Sequence, residues 1–100
     1  MPDLTTINGA IISKLCFGAM QFGGGADENT SKAMYDACRH SGINCFDTAY
    51  VYTEGASEQI LGQCTNAERE SVYSATKAAY TGPSTRENIH SSCEESRARL

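Results

Sequence analysis

The sequence is poor in the residues that build a large hydrophobic core. It has no tryptophan, and Leu, Ile, Val and Phe together make up only 15 of its 100 residues. A content of these residues below roughly 20%, combined with a high net charge, is typical of disordered chains. The formal net charge is only −4, so the second condition is not met. The chain therefore has a globular pattern but little material for a self-contained core.

Several classes of protein are excluded by what the sequence lacks. Lys and Arg number 8 against 12 acidic residues, so there is no basic surface for nucleic acid. No apolar run approaches the roughly 20 residues of a membrane span. The N-terminal residues show no charged segment leading into an apolar one. No secretory signal is predicted, and we expect a cytoplasmic protein.

Metal-ligand spacing is also missing. The five cysteines contain no CxxC pair, and the two histidines have no metal-site spacing, so no metal site is predicted. An odd, irregular set of cysteines without a secretory signal indicates reduced thiols that are mostly buried. Cys16 and Cys45 lie in predicted strands. Cys38, Cys64 and Cys93 lie on the faces of predicted helices.

Strand and helix patterns alternate in the first half of the chain. Asn8-Gly9 between apolar or β-branched flanks predicts a β-hairpin turn in which both residues have positive φ. The apolar run 15–20 predicts a buried strand. A helical period over 29–41 is followed by Gly42, a typical C′ glycine. The apolar face of this helix is predicted to hold Ala33, Met34, Ala37 and Cys38.

The alternation continues in the second half. The run 43–46 predicts a second strand that ends at Asp47, and 72–76 predicts a third that ends at Lys77. Ser57 is the expected N-cap of the helix between them. A third helix is expected to begin at Ser84, which forms a capping-box pattern with Glu87. The buried stripe of this helix is predicted to hold Ile89, Cys93, Ser96 and Leu100. Glu95 and Arg99 are predicted to form an ion pair on its outer face.

The order of these elements predicts the fold class. A hairpin followed by β, α, β, α, β, α implies parallel strands with right-handed crossovers. Such strands need cover on both faces. The chain also stops at Leu100 inside a helical period with no C-cap signal. We therefore expect residues 1–100 to be the opening part of a larger α/β domain.

Reactive side chains follow the predicted strand ends. In parallel α/β proteins such groups gather at the carboxyl ends of the strands. The first strand ends in 18–20, the second in Asp47 with Tyr52 in the next loop, and the third in Lys77. Taken alone, Asp47 is typical of a turn carboxylate, Tyr52 of a packing aromatic residue and Lys77 of a solvated ammonium. Their convergence on one rim favours a shared chemical role.

A carboxylate, a phenol and an ammonium together suit the reduction of a carbonyl group. A free phenol has a pKa of about 10, which a nearby ammonium lowers by favouring the phenolate. A paired carboxylate holds the ammonium charged and oriented. The phenol can then donate a proton to a carbonyl oxygen as negative charge develops there. The hydride must come from a cofactor, since no side chain supplies one.

A family resemblance becomes specific at this point. The segment 45–58, CFDTAYVYTEGASE, resembles the F-D-T-A-x-x-Y-x-x-G-x-S-E signature of the aldo-keto reductases. Three flanking segments also match the pattern of that family: 42–44, 60–62 and 75–77. The stretch 51–62 most resembles the aflatoxin aldehyde reductase branch.

The resemblance implies a fold and an activity. It implies the N-terminal portion of a (β/α)8 TIM barrel, made of a β-hairpin and about three βα units. It also implies that NADPH is used to reduce a small aldehyde or ketone to an alcohol.

Residue roles carry over by matching positions. Tyr52 would be the proton donor, Lys77 the ammonium beside it, and Asp47 the ion-pair partner of Lys77. The cofactor would lie against the end of the first strand and Asp47. The matching first-strand residues are Gly18, Ala19 and Met20. The family's catalytic histidine matches neither His40 nor His90.

The sequence is also compatible with other interpretations. Some relatives of the family act as cofactor-sensing or channel-associated subunits, so the chain could be non-catalytic or an inactive fragment. A flavodoxin-like doubly wound domain is a third interpretation. It is disfavoured because the first βα loop lacks the phosphate-binding glycine pattern. A homo-oligomer is compatible with the sequence, which does not identify the carbonyl substrate.

Overall fold

The computed structural model describes residues 4–78 and 82–100. Strands and helices alternate along these residues, as the sequence predicts. The strands are β1 (Phe17–Gly18), β2 (Cys45–Asp47) and β3 (Tyr73–Ala75). The helices are α1 (Glu28–His40), α2 (Ala56–Thr65) and α3 (Arg86–Arg99). Short irregular helical turns cover Tyr52–Gly55 and Asn66–Ser71, and each is interrupted by residues with non-helical backbone angles.

The three strands form one parallel sheet in the order β1-β2-β3. Gly18 pairs with Asp47, which in turn pairs with Ala75. The first strand is shorter than the predicted run 15–20, because only Phe17 and Gly18 pair with β2. The side chains at the two ends of that run, Leu15 and Met20, are 69% and 52% exposed. Apolar content alone therefore overestimated the length of this strand.

The hydrophobic core lies between the sheet and helices α1 and α2. Phe46 of β2 is fully buried at its centre. Its ring lies 4.9 Å from that of Tyr35 and 6.2 Å from that of Phe17, measured between centroids. The buried cluster also includes Phe22, Ile60 and Leu61 of α2, Val72 before β3, and the smaller Ala19 and Cys38. Few large side chains therefore carry this core, as the composition predicts.

The hairpin near the N-terminus has a different turn from the one predicted. Thr5 pairs with Ile11 in a single antiparallel bridge. The Gly9 amide donates to the Thr6 carbonyl, and the Thr6 amide donates to the Ala10 carbonyl. Only Gly9 has positive φ, at 92°, whereas the expected turn needs it at Asn8 as well. The three-residue loop is instead typical of a type I turn closed by a glycine bulge.

The predicted helix caps Ser57 and Ser84 are both wrong. Helix α2 begins after Gly55, so Ser57 lies inside its first turn. Helix α3 is capped by Thr85, whose side chain accepts from the Asn88 amide. Helix α1 begins after Asp27, which caps it through the Thr30 amide. Ser84 and Thr85 are adjacent hydroxyl residues and both are good local caps, so the tertiary path of the chain selects between them.

The buried faces of α1 and α3 share Cys38 and Ser96 with the predicted faces but are otherwise rotated from them. Helix α1 buries Ser31, Tyr35 and Cys38, while Met34 is 39% exposed. Helix α3 buries Ser92 and Ser96, while Ile89 and Cys93 are exposed. Small hydroxyl residues let these helices approach their neighbours closely, which a search for apolar faces does not detect. The predicted pair of Glu95 and Arg99 forms at 3.3 Å.

The cysteines are only partly buried. Cys38 and Cys45 are buried and Cys64 is half-buried. Cys16 and Cys93 are exposed, against the prediction. None of the five forms a disulfide.

Helix α1 ends in a local motif that gives a clean test of backbone strain. Gly42 has a φ of +84°, and its amide and that of Ile43 bond the last carbonyls of the helix. No atom lies within 4 Å of the position that a Cβ on Gly42 would take. We expect Gly42→Ala to lower the free energy of unfolding by about 1–2 kcal/mol, because only glycine adopts this conformation without strain.

Urea unfolding of Gly42→Ala measures this effect. Gly18→Ala is the matched control, since a Cβ there also meets no atom and its φ is not positive. Its stability should stay within about 0.5 kcal/mol of the parent. Equal destabilisation of both variants would contradict the explanation.

Candidate active site

Two strand ends place Asp47 and Lys77 on one rim. Asp47 is the last residue of β2, and Lys77 follows β3 by two residues. Backbone bonds extend the parallel pairing beyond the strands, from the Thr48 amide to the Ala75 carbonyl and from the Tyr50 amide to the Lys77 carbonyl. These bonds measure 2.8 and 3.0 Å. The segments that carry the two charged residues are therefore held side by side.

Asp47 and Lys77 form an ion pair. The Lys77 Nζ lies 3.0 and 2.9 Å from Oδ1 and Oδ2 of Asp47 and 2.8 Å from the Thr48 carbonyl oxygen. The hydrogen bonds to Asp47 raise the pKa of Lys77 above its usual value, with a smaller contribution from Tyr52. The ammonium is therefore charged at neutral pH and fixed in position.

The raised pKa of Lys77 predicts how the ion pair depends on pH. A folded-state pKa above the unfolded one contributes stability that is fully present below the unfolded value, about 10.4. That contribution disappears as the pH rises through the raised folded value. We expect the stability difference between the parent and Lys77→Met to be constant from pH 7 to about pH 10 and to shrink above it. Urea unfolding of both proteins across this pH range, with a reductant present, measures the stability difference. If the two proteins were equally stable at neutral pH, the ion pair of Asp47 and Lys77 would not be stabilising.

Tyr52 lies beside this ammonium. The Lys77 Nζ is 5.1 Å from the centroid of the Tyr52 ring. Of the residues singled out by the sequence, the structure thus brings Asp47, Tyr52 and Lys77 together. The three come from two strand ends and the loop after β2.

The loop after Tyr52 is strained and held by side-chain bonds. Thr53 and Glu54 have φ values of 50° and 56°, in the left-handed region that a β-branched residue rarely adopts. The Thr53 hydroxyl donates to the Phe22 carbonyl at 2.7 Å and accepts from the Ser57 amide at 2.9 Å. Such strain persists only where surrounding contacts enforce it, and it often marks a functional site. These bonds fix the backbone immediately after Tyr52.

The end of β1 leaves open surface next to Asp47. Gly18 is exposed, and no atom lies within 4 Å of the position of a Cβ there. Met20 is 52% exposed. The Ala19 side chain is fully buried, while its amide donates to the Asp47 carbonyl at 2.8 Å. Gly18 and Met20 are thus accessible to a ligand, whereas Ala19 holds the rim together through its backbone.

A buried hydroxyl network joins the strand ends behind this rim. The Ser57 hydroxyl donates to the Ala19 carbonyl at 2.7 Å and lies 2.6 Å from the Thr48 hydroxyl. Since Ser57 has only one hydroxyl proton, Thr48 donates to Ser57. Both side chains are fully buried. The local pattern favours Ser57 as a helix cap and does not reveal this role. The position of Ser57 within the signature segment was the available signal.

A second missed feature is the fully buried Glu58. One carboxylate oxygen accepts from the Thr76 hydroxyl at 2.6 Å, and the other lies 3.0 Å from Arg99 Nη1. The Arg99 side chain is 19% exposed and lies over the Tyr50 ring. Because Thr76 immediately precedes Lys77, Glu58 links α2 and α3 to the end of β3. The predicted outward position of Arg99 is therefore wrong.

The described residues 4–78 and 82–100 include no cluster of three side chains that could hold a metal ion. No helix among them is long and apolar enough to cross a membrane. The arrangement that can do chemistry is the phenol beside a paired ammonium, a setting suited to donating a proton to a ligand with developing negative charge.

Comparisons with known proteins agree on the family. The model of the aldo/keto reductase family matches residues 14–100. A probable voltage-gated potassium channel subunit beta from Oryza sativa subsp. japonica is 38% identical over 79 residues. That match covers 75% of this chain and 24% of the relative. Aldo-keto reductase AMT2 from Alternaria alternata is 34% identical over 96 residues, covering 85% of this chain and 26% of the relative.

Solved structures show the same architecture. Aldo-keto reductase AKR11C1 from Bacillus halodurans, in its holo form, superposes with a TM-score of 0.78 at 26% identity over 100% of this chain. An aldo-keto reductase from Klebsiella pneumoniae in complex with NADPH superposes with a TM-score of 0.79 at 25% identity over 99% of this chain. This chain covers 36% of each of those chains.

These comparisons settle the fold class and the family. The expected part of a (β/α)8 barrel is confirmed, since the solved relatives are such barrels. The chain spans about a quarter of the length of the curated relatives it matches. The likeness to the aflatoxin aldehyde reductase branch stays a prediction. On the match over residues 14–100, this chain belongs to the aldo/keto reductase family.

Proposed function

We propose that this chain contributes the proton-donating part of an NADPH-dependent reductase that converts aldehydes or ketones to alcohols. The observation that carries the proposal is the position of the Lys77 ammonium. It is bound to both carboxylate oxygens of Asp47 and to the Thr48 carbonyl, and its Nζ lies 5.1 Å from the centre of the Tyr52 ring. An ammonium held there can stabilise the negative charge on the phenolate once the phenol has donated its proton.

Each of the three residues has a separate task. Tyr52 donates its proton to the carbonyl oxygen of the substrate as that oxygen gains negative charge. Lys77 stabilises the phenolate left behind. Asp47 keeps Lys77 charged and in place, which agrees with the raised pKa of Lys77. The left-handed turn after Tyr52 restrains the backbone that carries the donor.

The residues at the end of β1 suit one end of NADPH. Gly18 presents no side chain, its neighbour in the sheet is Asp47, and the space above its Cα is open. A flat nicotinamide ring needs such a surface beside the proton donor. We assign Gly18, Met20 and Asp47 to this contact, with the backbone of Ala19 supporting it. NADPH supplies the hydride when bound, and the NADPH complex of the Klebsiella pneumoniae relative supports this cofactor.

The assay that tests the proposal measures NADPH consumption against product formation. The purified protein that carries these residues at its natural length is incubated with NADPH and a panel of aldehydes and ketones. We expect oxidation of NADPH that requires the carbonyl compound and yields one alcohol per NADPH consumed. NADPH binding without carbonyl-dependent oxidation would reject the catalytic proposal.

NADPH binding without carbonyl-dependent oxidation would favour a different function. The relatives from Oryza sativa subsp. japonica and Arabidopsis thaliana, 38% and 36% identical, are each described as a probable voltage-gated potassium channel subunit beta. A cofactor-binding subunit without turnover is therefore the second candidate. It predicts NADPH binding that survives Tyr52→Phe, together with no carbonyl-dependent oxidation in the parent protein.

A further inference from the structure

Two cysteines from neighbouring strands lie in contact. Cys16 immediately precedes β1 and Cys45 opens β2, so they extend the pairing of Phe17 with Phe46 by one residue. Their Sγ atoms are 2.9 Å apart. Cys16 is exposed, whereas Cys45 is 8% exposed. An oxidant in solution can therefore reach Cys16, while Cys45 is shielded from solvent and lies next to it.

The backbone geometry already suits a disulfide. Neighbouring strands lie about 4.8 Å apart, within the Cα separations of about 4.4–6.8 Å that disulfides span. Closing the Sγ atoms to the bond length of about 2.05 Å needs only small side-chain rotations. The strands would keep their register.

We propose that Cys16 and Cys45 are a redox-responsive pair that a hydroperoxide converts to an intramolecular disulfide. The Cys16 sulfur attacks one peroxide oxygen, the O–O bond breaks, and a sulfenic acid forms with release of water or an alcohol. The Cys45 sulfur then attacks the Cys16 sulfur and displaces the hydroxyl group, which leaves as water with the proton of the Cys45 thiol. Both thiols lose their protons and two electrons, which reduce the peroxide.

The surroundings of the pair set its reactivity. Partial burial and the hydrogen bond from Cys45 raise the pKa of the Cys16 thiol to about 12. Little thiolate is present at neutral pH, so the reaction is slower than that of an activated catalytic cysteine. Once the sulfenic acid forms, the adjacent Cys45 competes well with further oxidation.

The disulfide would lie directly behind the proposed active-site rim. Residues alternate between the faces of a strand, so Cys45 lies on the same face as Asp47, and Cys16 on the same face as Gly18. The bond would therefore tie together the two strands that carry Asp47 and Gly18. It would also close a loop that contains α1, and we expect the midpoint of thermal unfolding to rise by several degrees.

Peptide mapping after peroxide treatment tests the pair. The 100-residue chain is prepared with Cys93→Ser, which removes the other exposed thiol, and is treated with hydrogen peroxide. Non-reducing digestion with trypsin should yield 15–32 linked to 40–69, at a mass two hydrogens below the sum of the two peptides. A second cleavage after Glu54 and Glu58 separates Cys45 from Cys64 and identifies the linked residue.

Single substitutions provide the controls. Cys16→Ser and Cys45→Ser should each abolish the linked peptide and the rise in unfolding midpoint, whereas Cys64→Ser should leave both unchanged. In the parent protein, a thiol reductant should remove both the linked peptide and the rise in unfolding midpoint. Oxidation of Cys16 to the sulfinic or sulfonic acid without the linked peptide would overturn the proposal. So would a link from Cys16 to Cys64 or between two copies of the chain.

Discussion

Replacing Tyr52 with phenylalanine is expected to lower carbonyl reduction by about 10²–10⁴-fold, the usual contribution of a positioned proton donor. The ring that lies beside Lys77 is kept, and only the hydroxyl group is lost. The protein should therefore fold as before and bind NADPH with nearly unchanged affinity. Measuring kcat/KM together with the NADPH dissociation constant separates loss of the donor from loss of the site.

Tyr50→Phe is the matched control for this substitution. Tyr50 lies two residues earlier in the same loop, but its hydroxyl donates to Glu95 at 2.6 Å, and Glu95 lies on α3 rather than at the rim. We expect its reductase activity to stay within a few-fold of the parent. The assignment of Tyr52 as proton donor fails if Tyr52→Phe keeps near-parental turnover, or if both variants lose activity equally.

Two features that were predicted correctly from the sequence follow from a local rule and from strand order. Gly42 ends α1 because the left-handed conformation after a helix favours glycine whatever the tertiary structure. Asp47 and Lys77 meet because the carboxyl ends of adjacent parallel strands lie on one edge. Neither result depends on knowing which side chains pack together.

Several of the incorrect predictions concern side chains whose partners are far away in the sequence. Tyr35 is buried because its ring packs on Phe46 and its hydroxyl donates to Glu68. Helical periodicity instead favoured Met34, the more apolar neighbour, which is 39% exposed. Ser57 is a similar case, since its hydroxyl bonds the distant Ala19 carbonyl rather than the start of its own helix.

Glu58 shows the same limit most clearly and leads to the largest expected change in stability. A charged residue is almost never fully buried without a partner. Its partner Arg99 lies 41 residues later, on α3. No local sequence pattern predicts such a pair, because the carboxylate and the guanidinium form their ion pair only when α2 and α3 pack against each other.

Glu58→Ala is therefore expected to lower the free energy of unfolding by about 3 kcal/mol, because it leaves the largely buried Arg99 guanidinium without its main counter-ion. It also removes the acceptor of the Thr76 hydroxyl. Glu95→Ala is the matched control: Glu95 binds the same arginine at 3.3 Å, but its side chain is 51% exposed. Exposed pairs contribute at most about 1 kcal/mol, so the control should lose far less stability in urea unfolding. If the two variants lose the same stability, burial is not what makes the ion pair of Glu58 and Arg99 important.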